Sequence, residues 1–321
     1  MVGYNPEPIS GKELSSSEYS EAGLASGIAT RAIIQPLDVL KIRFQLQEEP
    51  IGGKTSGKYR SVIQSVVLIS REEGVRAFWK GHVPAQGLSA VYGLVQFSAY
   101  EFFSRKIGQN SELNRATSDF LAGALSGSMA MTAAMPLDVI RTRLVAQAHA
   151  ADPTATRPRR VAYRGTTHAM LKIARLEGPM GFFRGWLPSV AQVAPFTGLQ
   201  FWFYNMIIEM LDEWTGSKGT THALAAGATA GTLAKTILYP LDMVRHRLQM
   251  NGFQREQTFG QTSDYSKGMV RSVLHIVKKE GVRGLFKGLW PSQIKAAANS
   301  GCAFLFYELF CDLLRARKNE E

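Results

Sequence analysis

Cysteine is scarce in this chain of 321 residues, which holds only Cys302 and Cys311. On one helix, nine positions put them ~13 Å apart along the axis, beyond the reach of a disulfide, and no zinc-ligand spacing exists. Also absent are a phosphate-cradling glycine loop, a nucleophile motif and any repeated ligand spacing among the histidines at 82, 149, 168, 222, 246 and 275. These absences argue against an enzyme, and no cofactor or metal is expected. The opening MVGYNPEPISGKELSSSEYSE has four glutamates, one lysine and no apolar run. It reads as neither a secretory signal nor an Arg-rich transit peptide, so targeting is expected to be internal and residues 1–15 are expected to form a disordered tail. Acids are outnumbered, 26 against 37 lysines and arginines, for a net charge of +11. That balance suits nucleic acid, anionic lipid or an anionic solute. The bases are spread through the chain with no finger, basic-zipper or RNA-binding pattern, which argues against nucleic acid.

Mean hydropathy is slightly negative, but the average hides long uncharged runs. Residues 81–100, 120–137 and 185–208 carry no charge, and each is close to or above the ~20 residues that span a bilayer. Stretches 22–37, 221–241 and 289–307 match them by position but are interrupted by Arg31, Lys235 and Lys295. Six spanning helices follow, two in each of three repeats. AGLASG, AGALSG and AGATAG each end nine residues before a proline. Their GxxxG spacings at Gly23/Gly27, Gly123/Gly127 and Gly227/Gly231 are expected to let backbones approach closely.

The repeats declare themselves through two motifs. PLDVLKIR begins at Pro36, PLDVIRTR at Pro136 and PLDMVRHR at Pro240. Each sits in an otherwise spanning segment, where a proline kinks a helix and charges are costly. EGVRAFWKG, EGPMGFFRG and EGVRGLFKG then close at Gly81, Gly185 and Gly288. Between the motifs lie segments of helical period, as at Val62, Val66 and Ile69, expected to be short amphipathic helices at the membrane surface. The aromatic, base and glycine that end the second motif suit an anionic lipid headgroup: Trp79, Lys80 and Gly81; Phe183, Arg184 and Gly185; Phe286, Lys287 and Gly288.

With both motifs present three times, the chain closely resembles the mitochondrial carrier family. The resemblance implies an all-α membrane protein, a pseudo-threefold six-helix barrel with repeats at 16–110, 114–213 and 218–315. It implies residence in the mitochondrial inner membrane with both termini on the intermembrane-space side, a monomer, and cardiolipin as the lipid. Narrower identities, including MVGY at the start, FWKGHVPAQ from Phe78, AKTILYPLD from Ala234 and LQMNGFQ from Leu248, imply thiamine pyrophosphate as cargo, imported in exchange for nucleotides.

Around a central axis each motif acid can meet a base of the next repeat: Asp38 with Arg141, Asp138 with Arg245, Asp242 with Lys41. Such a ring would close the barrel at one end, which the resemblance implies is the matrix end, with Pro36, Pro136 and Pro240 bending the helices inward. Family members brace each pair with a glutamine four residues after the base. Gln45 and Gln249 fit, whereas the third position holds Val145. At the opposite end Glu101 and Glu308 lack the family's partner bases and Tyr204 is followed by asparagine, so a weak latch is expected there.

An asymmetric solute must be read by residues that break the symmetry. Arg31 and Lys235 stand five residues before their prolines, where the second repeat has Met131. Fifteen residues after each motif glutamate come Leu88, Gln192 and Lys295, then Tyr92, Phe196 and Asn299, then Gln96, Gln200 and Ala303. Arg31, Lys235 and Lys295 are expected to form a cationic wall, facing aromatics and amides on the second and fourth spanning helices. A phosphorylated aromatic anion suits that polarity. Thiamine pyrophosphate has that shape, as do nucleotides, deoxynucleotides and coenzyme A. A channel or membrane scaffold is the rival of a different class.

Overall fold

The computed structural model describes residues 14–48, 57–108, 114–147, 163–215, 220–253 and 268–320. Six long helices of 27 to 32 residues organise it: α1 (Ser16–Leu46), α3 (His82–Gly108), α4 (Arg115–Ala146), α6 (Trp186–Thr215), α7 (Thr220–Gln249) and α9 (Leu289–Glu320). At 1.5 Å per residue they extend ~40–48 Å, more than a hydrocarbon core. Three 12-residue helices separate the pairs: α2 (Val62–Glu73), α5 (Thr166–Glu177) and α8 (Met269–Glu280). No strand occurs among the described residues. The expected tail lies outside the described residues up to position 13. Leu14 and Ser15, counted with it, are ordered: Leu14 packs with Ala22 and Cys311, and Ser15 caps α1 reciprocally with Glu18.

The long helices close a ring. α3 packs along α4, α6 along α7, and α9 returns to α1, while α1, α4 and α7 meet one another more briefly. The polarity is inverted relative to a soluble protein. Leu94, Phe97, Phe201, Trp202 and Leu305 point outward, whereas the arginines Arg43, Arg143 and Arg247 are fully buried. Such a distribution is stable where the surroundings are hydrocarbon. By length and composition alone, only α4 of the described helices would be read as a span: α1, α7 and α9 are interrupted by Arg31, Lys235 and Lys295, and the uncharged runs of α3 and α6 are diluted by glutamine, serine, glycine and proline.

The GxxxG expectation is corrected. A Cβ added at Gly23, Gly27 or Gly123 would meet nothing within 4 Å, and only at Gly127 would it collide, with Val193. The buried face is the stripe one residue earlier: Ala22, Ser26 and Thr30; Ala122, Ser126 and Ala130; Ala226, Ala230 and Ala234. Small side chains at every fourth position still bring backbones together, and Ser26 donates to the Ala303 carbonyl of α9 at 2.8 Å. The surface helices are adjusted likewise. Ser65 and Ile69 of α2 are buried but Val66 is exposed, and Ala169 with Ile173 and Ser272 with Ile276 repeat that face.

Pro36, Pro136 and Pro240 all lie inside their helices. Each removes a backbone donor and leaves the carbonyl four residues earlier without its helical partner. In the first repeat Trp79 supplies the replacement, its indole N–H donating to the Ala32 carbonyl at 2.9 Å. Trp186 and Gln293 reach the hydroxyls of Thr132 and Thr236 at 2.8 and 2.9 Å. Each proline segment is therefore tied to its own repeat's second long helix or, for Trp79, to the turn just before it.

A glycine seam joins the repeats. Gly81, Gly185 and Gly288 all have positive φ, 75°, 81° and 81°. A Cβ would fall 3.1 Å from the Arg141 carbonyl at the first, 2.8 Å from that of Arg245 at the second and 3.0 Å from that of Lys41 at the third. Gly185→Ala combines left-handed backbone strain of ~1–3 kcal/mol with a backbone clash. We expect it to lower the thermal unfolding temperature of the detergent-solubilised protein by several degrees, and Gly23→Ala, which meets open space, to leave it unchanged. Equal behaviour of the two would contradict the seam.

Candidate functional site

The proline-bearing segments bring three aspartates to one end of the barrel axis, where each meets a base from the following repeat. Asp242 takes Lys41 at 2.7 Å, Asp138 takes Arg245 at 2.6 Å, and Asp38 takes Arg141. All three carboxylates are buried. An isolated carboxylate at such depth is unfavourable by several kcal/mol, so each acid depends on its neighbour's cation. The expected braces are in position: Gln45 donates to Asp242 at 3.0 Å and Gln249 donates to Asp138. Val145 is buried among Val39, Ile42 and Leu46 and carries no brace.

A second ring lies just beyond, built from the second base of the first motif and the glutamate of the second. Arg43 grips Glu73 in bidentate fashion at 2.5 and 2.9 Å, and Arg143 with Glu177 and Arg247 with Glu280 repeat the geometry. The same arginines also cap C-terminal carbonyls of the proline-bearing helix of the next repeat, α4, α7 and α1 in turn. Arg43 Nε donates to Val145 at 3.3 Å, Arg143 Nε to Gln249 at 3.0 Å and Arg247 Nε to Gln45 at 3.0 Å. Burial would raise the Glu73 carboxyl, but hydrogen bonds and charge from Arg43 and Lys80 override it and hold the group at about 2.

The bases read as lipid ligands have inward partners. Lys80 contacts Glu73 at 2.5 Å, Arg184 contacts Glu177 at 2.9 Å, and Lys287 contacts Glu280. Lys80 and Lys287 also donate to the Gln147 and Gln47 carbonyls at 3.0 and 3.1 Å. Charge in these motifs thus joins the inner ring, while the aromatics Trp79, Phe183 and Phe286 stand at the outer end of each seam. Trp79 and Phe183 are exposed, and Phe286 stacks on Tyr239 at 6.4 Å.

The symmetry-breaking cations gather between this ring and the wider part of the barrel. Lys235 donates to the Ser292 carbonyl of α9 at 2.7 Å, and its charged neighbours are Lys41, Asp242, Lys295 and Asp38. Arg31 reaches the Ala85 carbonyl at 3.4 Å and lies near Arg141 and Asp38. Lys295 departs from its expected place as one more member of a cationic wall: it is bound to Asp38 at 2.5 Å. Opposite, Leu88, Tyr92, Gln96, Gln192 and Phe196 are half-buried and Gln200 is exposed, while Asn299, also exposed, stands about one turn beyond Lys295 on α9. Tyr92 packs beside Met131 and Val193. Among the described residues no hydrogen bond holds the amides of Gln96, Gln192, Gln200 or Asn299, which leaves them available to a ligand. At the far end Glu101 pairs only with Arg105 of its own helix, on the surface, and α3, α6 and α9 form no packed interface with one another among the described residues.

Sequence reasoning missed several residues packed against the aspartate ring. Tyr239 accepts from Gln45 at 2.9 Å and donates to the Lys287 carbonyl at 2.8 Å. Thr142 donates to Gln249 at 2.6 Å, and His246 sits buried beside both at 3.3 and 3.1 Å. These residues are not copied between repeats, so the period carried no signal for them. The Arg43, Arg143 and Arg247 clamps were findable, since arginine and glutamate recur in all three copies.

Breaking one partner from a buried ion pair costs ~3–5 kcal/mol. Asp138→Arg and Arg245→Asp should each lower the unfolding temperature in detergent by roughly 5–10 °C, and the double exchange should recover at least half of the loss. Two folded single variants whose effects simply add in the double would refute the pairing.

Comparison with known proteins places this geometry. Residues 12–111, 113–213 and 216–318 each match the family model of the mitochondrial carrier protein. A Bos taurus protein named mitochondrial thiamine pyrophosphate carrier is 40% identical over 321 residues, covering 97% of each chain. The Homo sapiens protein of that name is 39% identical over 322 residues, 98% of this chain and 97% of its own. Mitochondrial thiamine pyrophosphate carrier 1 of Pyricularia oryzae is 36% identical over 305 residues, 89% of each. With three matches in tandem, falling on the same three repeats that supply one acid and one base each to the ring, the chain belongs to the mitochondrial carrier protein family.

Proposed function

We propose that this protein imports thiamine pyrophosphate across the mitochondrial inner membrane by alternating access, probing its cargo with Arg31, Lys235 and Lys295 and exchanging it for nucleotides. The observation that carries the reading is the near-full-length identity of about 40% to proteins named for that cargo. The site's polarity supports it. Three cations on α1, α7 and α9 suit the diphosphate, while Tyr92 and Phe196 on α3 and α6 suit the aromatic rings, and the unbound amides of Gln96, Gln192, Gln200 and Asn299 suit their ring nitrogens and substituents. Leu88 fills the apolar side of the same level.

The gate is the aspartate ring, facing the matrix, with both chain termini in the intermembrane space. Buried ion pairs are near break-even against apolar packing, which makes them a poor glue and a suitable latch. The wide opposite end, held by no comparable ring among the described residues, admits cargo. At the starts of α3, α6 and α9, backbone amides beside Trp79, Gly81, Phe183, Gly185, Phe286 and Gly288 receive the headgroups of an anionic lipid, cardiolipin, while Lys80, Arg184 and Lys287 raise the local positive potential from behind. The working unit is a monomer, since one chain closes the ring.

Purified protein in liposomes tests the reading. Uptake of labelled thiamine pyrophosphate should rise several-fold when the vesicles are preloaded with thiamine pyrophosphate or a nucleotide. Equal uptake into empty and preloaded vesicles would indicate a channel, and uptake of nucleotides or coenzyme A with none of thiamine pyrophosphate would reassign the cargo.

A further inference from the structure

Each gate aspartate accepts from two side chains, a bridging base and a brace, but the braces differ in kind. Gln45 serves Asp242 at 3.0 Å and Gln249 serves Asp138. Asp38 has no glutamine to serve it, because the equivalent position is Val145. Its second partner is Lys295 of α9, at 2.5 Å. Two braces are therefore neutral and supplied by α1 and α7. The third is charged, comes from α9, and keeps 27% of its side chain exposed where Asp38 keeps 6%.

We propose that Lys295 is a releasable brace, the residue through which a bound anion unlatches the gate. This rests on the proposed function above. In the closed state the ammonium is satisfied by Asp38. A phosphate arriving between Arg31, Lys235 and Lys295 offers the same ammonium a more highly charged acceptor. Transfer of Lys295 from carboxylate to phosphate leaves Asp38 with Arg141 alone, and the ring is weakened at one of its three joints, between α1 and α4. Gln45 and Gln249 carry no charge and gain far less from an anion than an ammonium does, so their braces stay in place. An asymmetric cargo thus acts on symmetric machinery at its single asymmetric point. Because binding energy for the phosphate is drawn from a bond the gate gives up, affinity is converted into opening.

The proposal separates bracing from binding, so two variants test it. Position 145 is the equivalent of Gln45 and Gln249: a Cβ added at Gly81 would stand 3.1 Å from Val145, as one at Gly185 or Gly288 would stand 3.3 Å from Gln249 or Gln45. Lys295→Ala should lower the substrate-free unfolding temperature by several degrees. Adding Val145→Gln should restore it, yet thiamine pyrophosphate exchange in liposomes should stay at least tenfold below wild type, since a neutral brace cannot be drawn off by phosphate. Lys295→Gln should keep the substrate-free stability and lose exchange to the same degree. If Lys295→Ala is as stable as wild type without substrate, or if Val145→Gln gives no rescue, Lys295 is a substrate contact only and the brace is overturned. If Lys295→Ala combined with Val145→Gln exchanges at the wild-type rate, release of the brace is not the trigger. Absence of exchange by the wild-type protein would instead defeat the proposed function, leaving the stability comparison to judge the brace by itself.

Discussion

A carboxylate buried at membrane depth must have a cation beside it, and in this protein the cation for every gate aspartate is borrowed from the next repeat. Asp38 needs Arg141, Asp138 needs Arg245 and Asp242 needs Lys41. No repeat can satisfy its own acid, so closure of the ring is a cooperative requirement. The prolines, the glycine seam and the guanidinium clamps all serve this meeting. Prolines interrupt the backbone ladder two residues before each aspartate, glycines at positive φ allow α3, α6 and α9 to start against the neighbouring backbone, and Arg43, Arg143 and Arg247 cap the helix ends that arrive there.

The clamps divide the structure into parts that move together and joints that separate. Arg43 ties α2 to α1 through Glu73, and the equivalent pairs tie α5 to α4 and α8 to α7. These bidentate pairs are charge-assisted and almost wholly shielded from solvent. The joints between repeats combine the aspartate bridges, near break-even in free energy, with the hydrogen bonds that Arg43, Arg143 and Arg247 make to backbone carbonyls of the next repeat. Near-degeneracy between closed and open arrangements is what alternating access needs, since a cargo can shift an equilibrium only by its differential affinity for the two states.

Much of this was legible in the sequence because the repeat supplies three readings of each position. The cyclic meeting of Asp38, Asp138 and Asp242 with the next repeat's base could be foreseen from PLDVLKIR and its copies, as could the six spanning helices despite a slightly negative mean hydropathy. Legibility failed where periodicity was ambiguous or broken. The alanine and serine stripe at Ala22, Ser26 and Thr30 stands one residue from the conspicuous glycines, and only helix rotation in the assembled ring decides between the two faces. Lys295 was recognisable as a cation out of pattern, but its bond to Asp38 depends on how α9 lies against α1, which no local spacing encodes. His246 and Thr142 are invisible to a repeat argument because the equivalent positions hold three different residues, Ile42, Thr142 and His246.

The central claim is that cargo weakens the ring and lets the repeats part at that end. Spin labels on cysteines placed at the exposed positions Ile63 of α2 and Met170 of α5, with Cys302 and Cys311 replaced by serine, report the separation of two repeats by pulsed electron resonance. Since α2 and α5 are clamped to α1 and α4, a change in their distance is a change at the gate. In lipid without cargo a single short distance is expected, and saturating thiamine pyrophosphate should populate a second, longer one. An unaltered distance distribution, in a preparation that exchanges thiamine pyrophosphate, would contradict a gate at the aspartate ring.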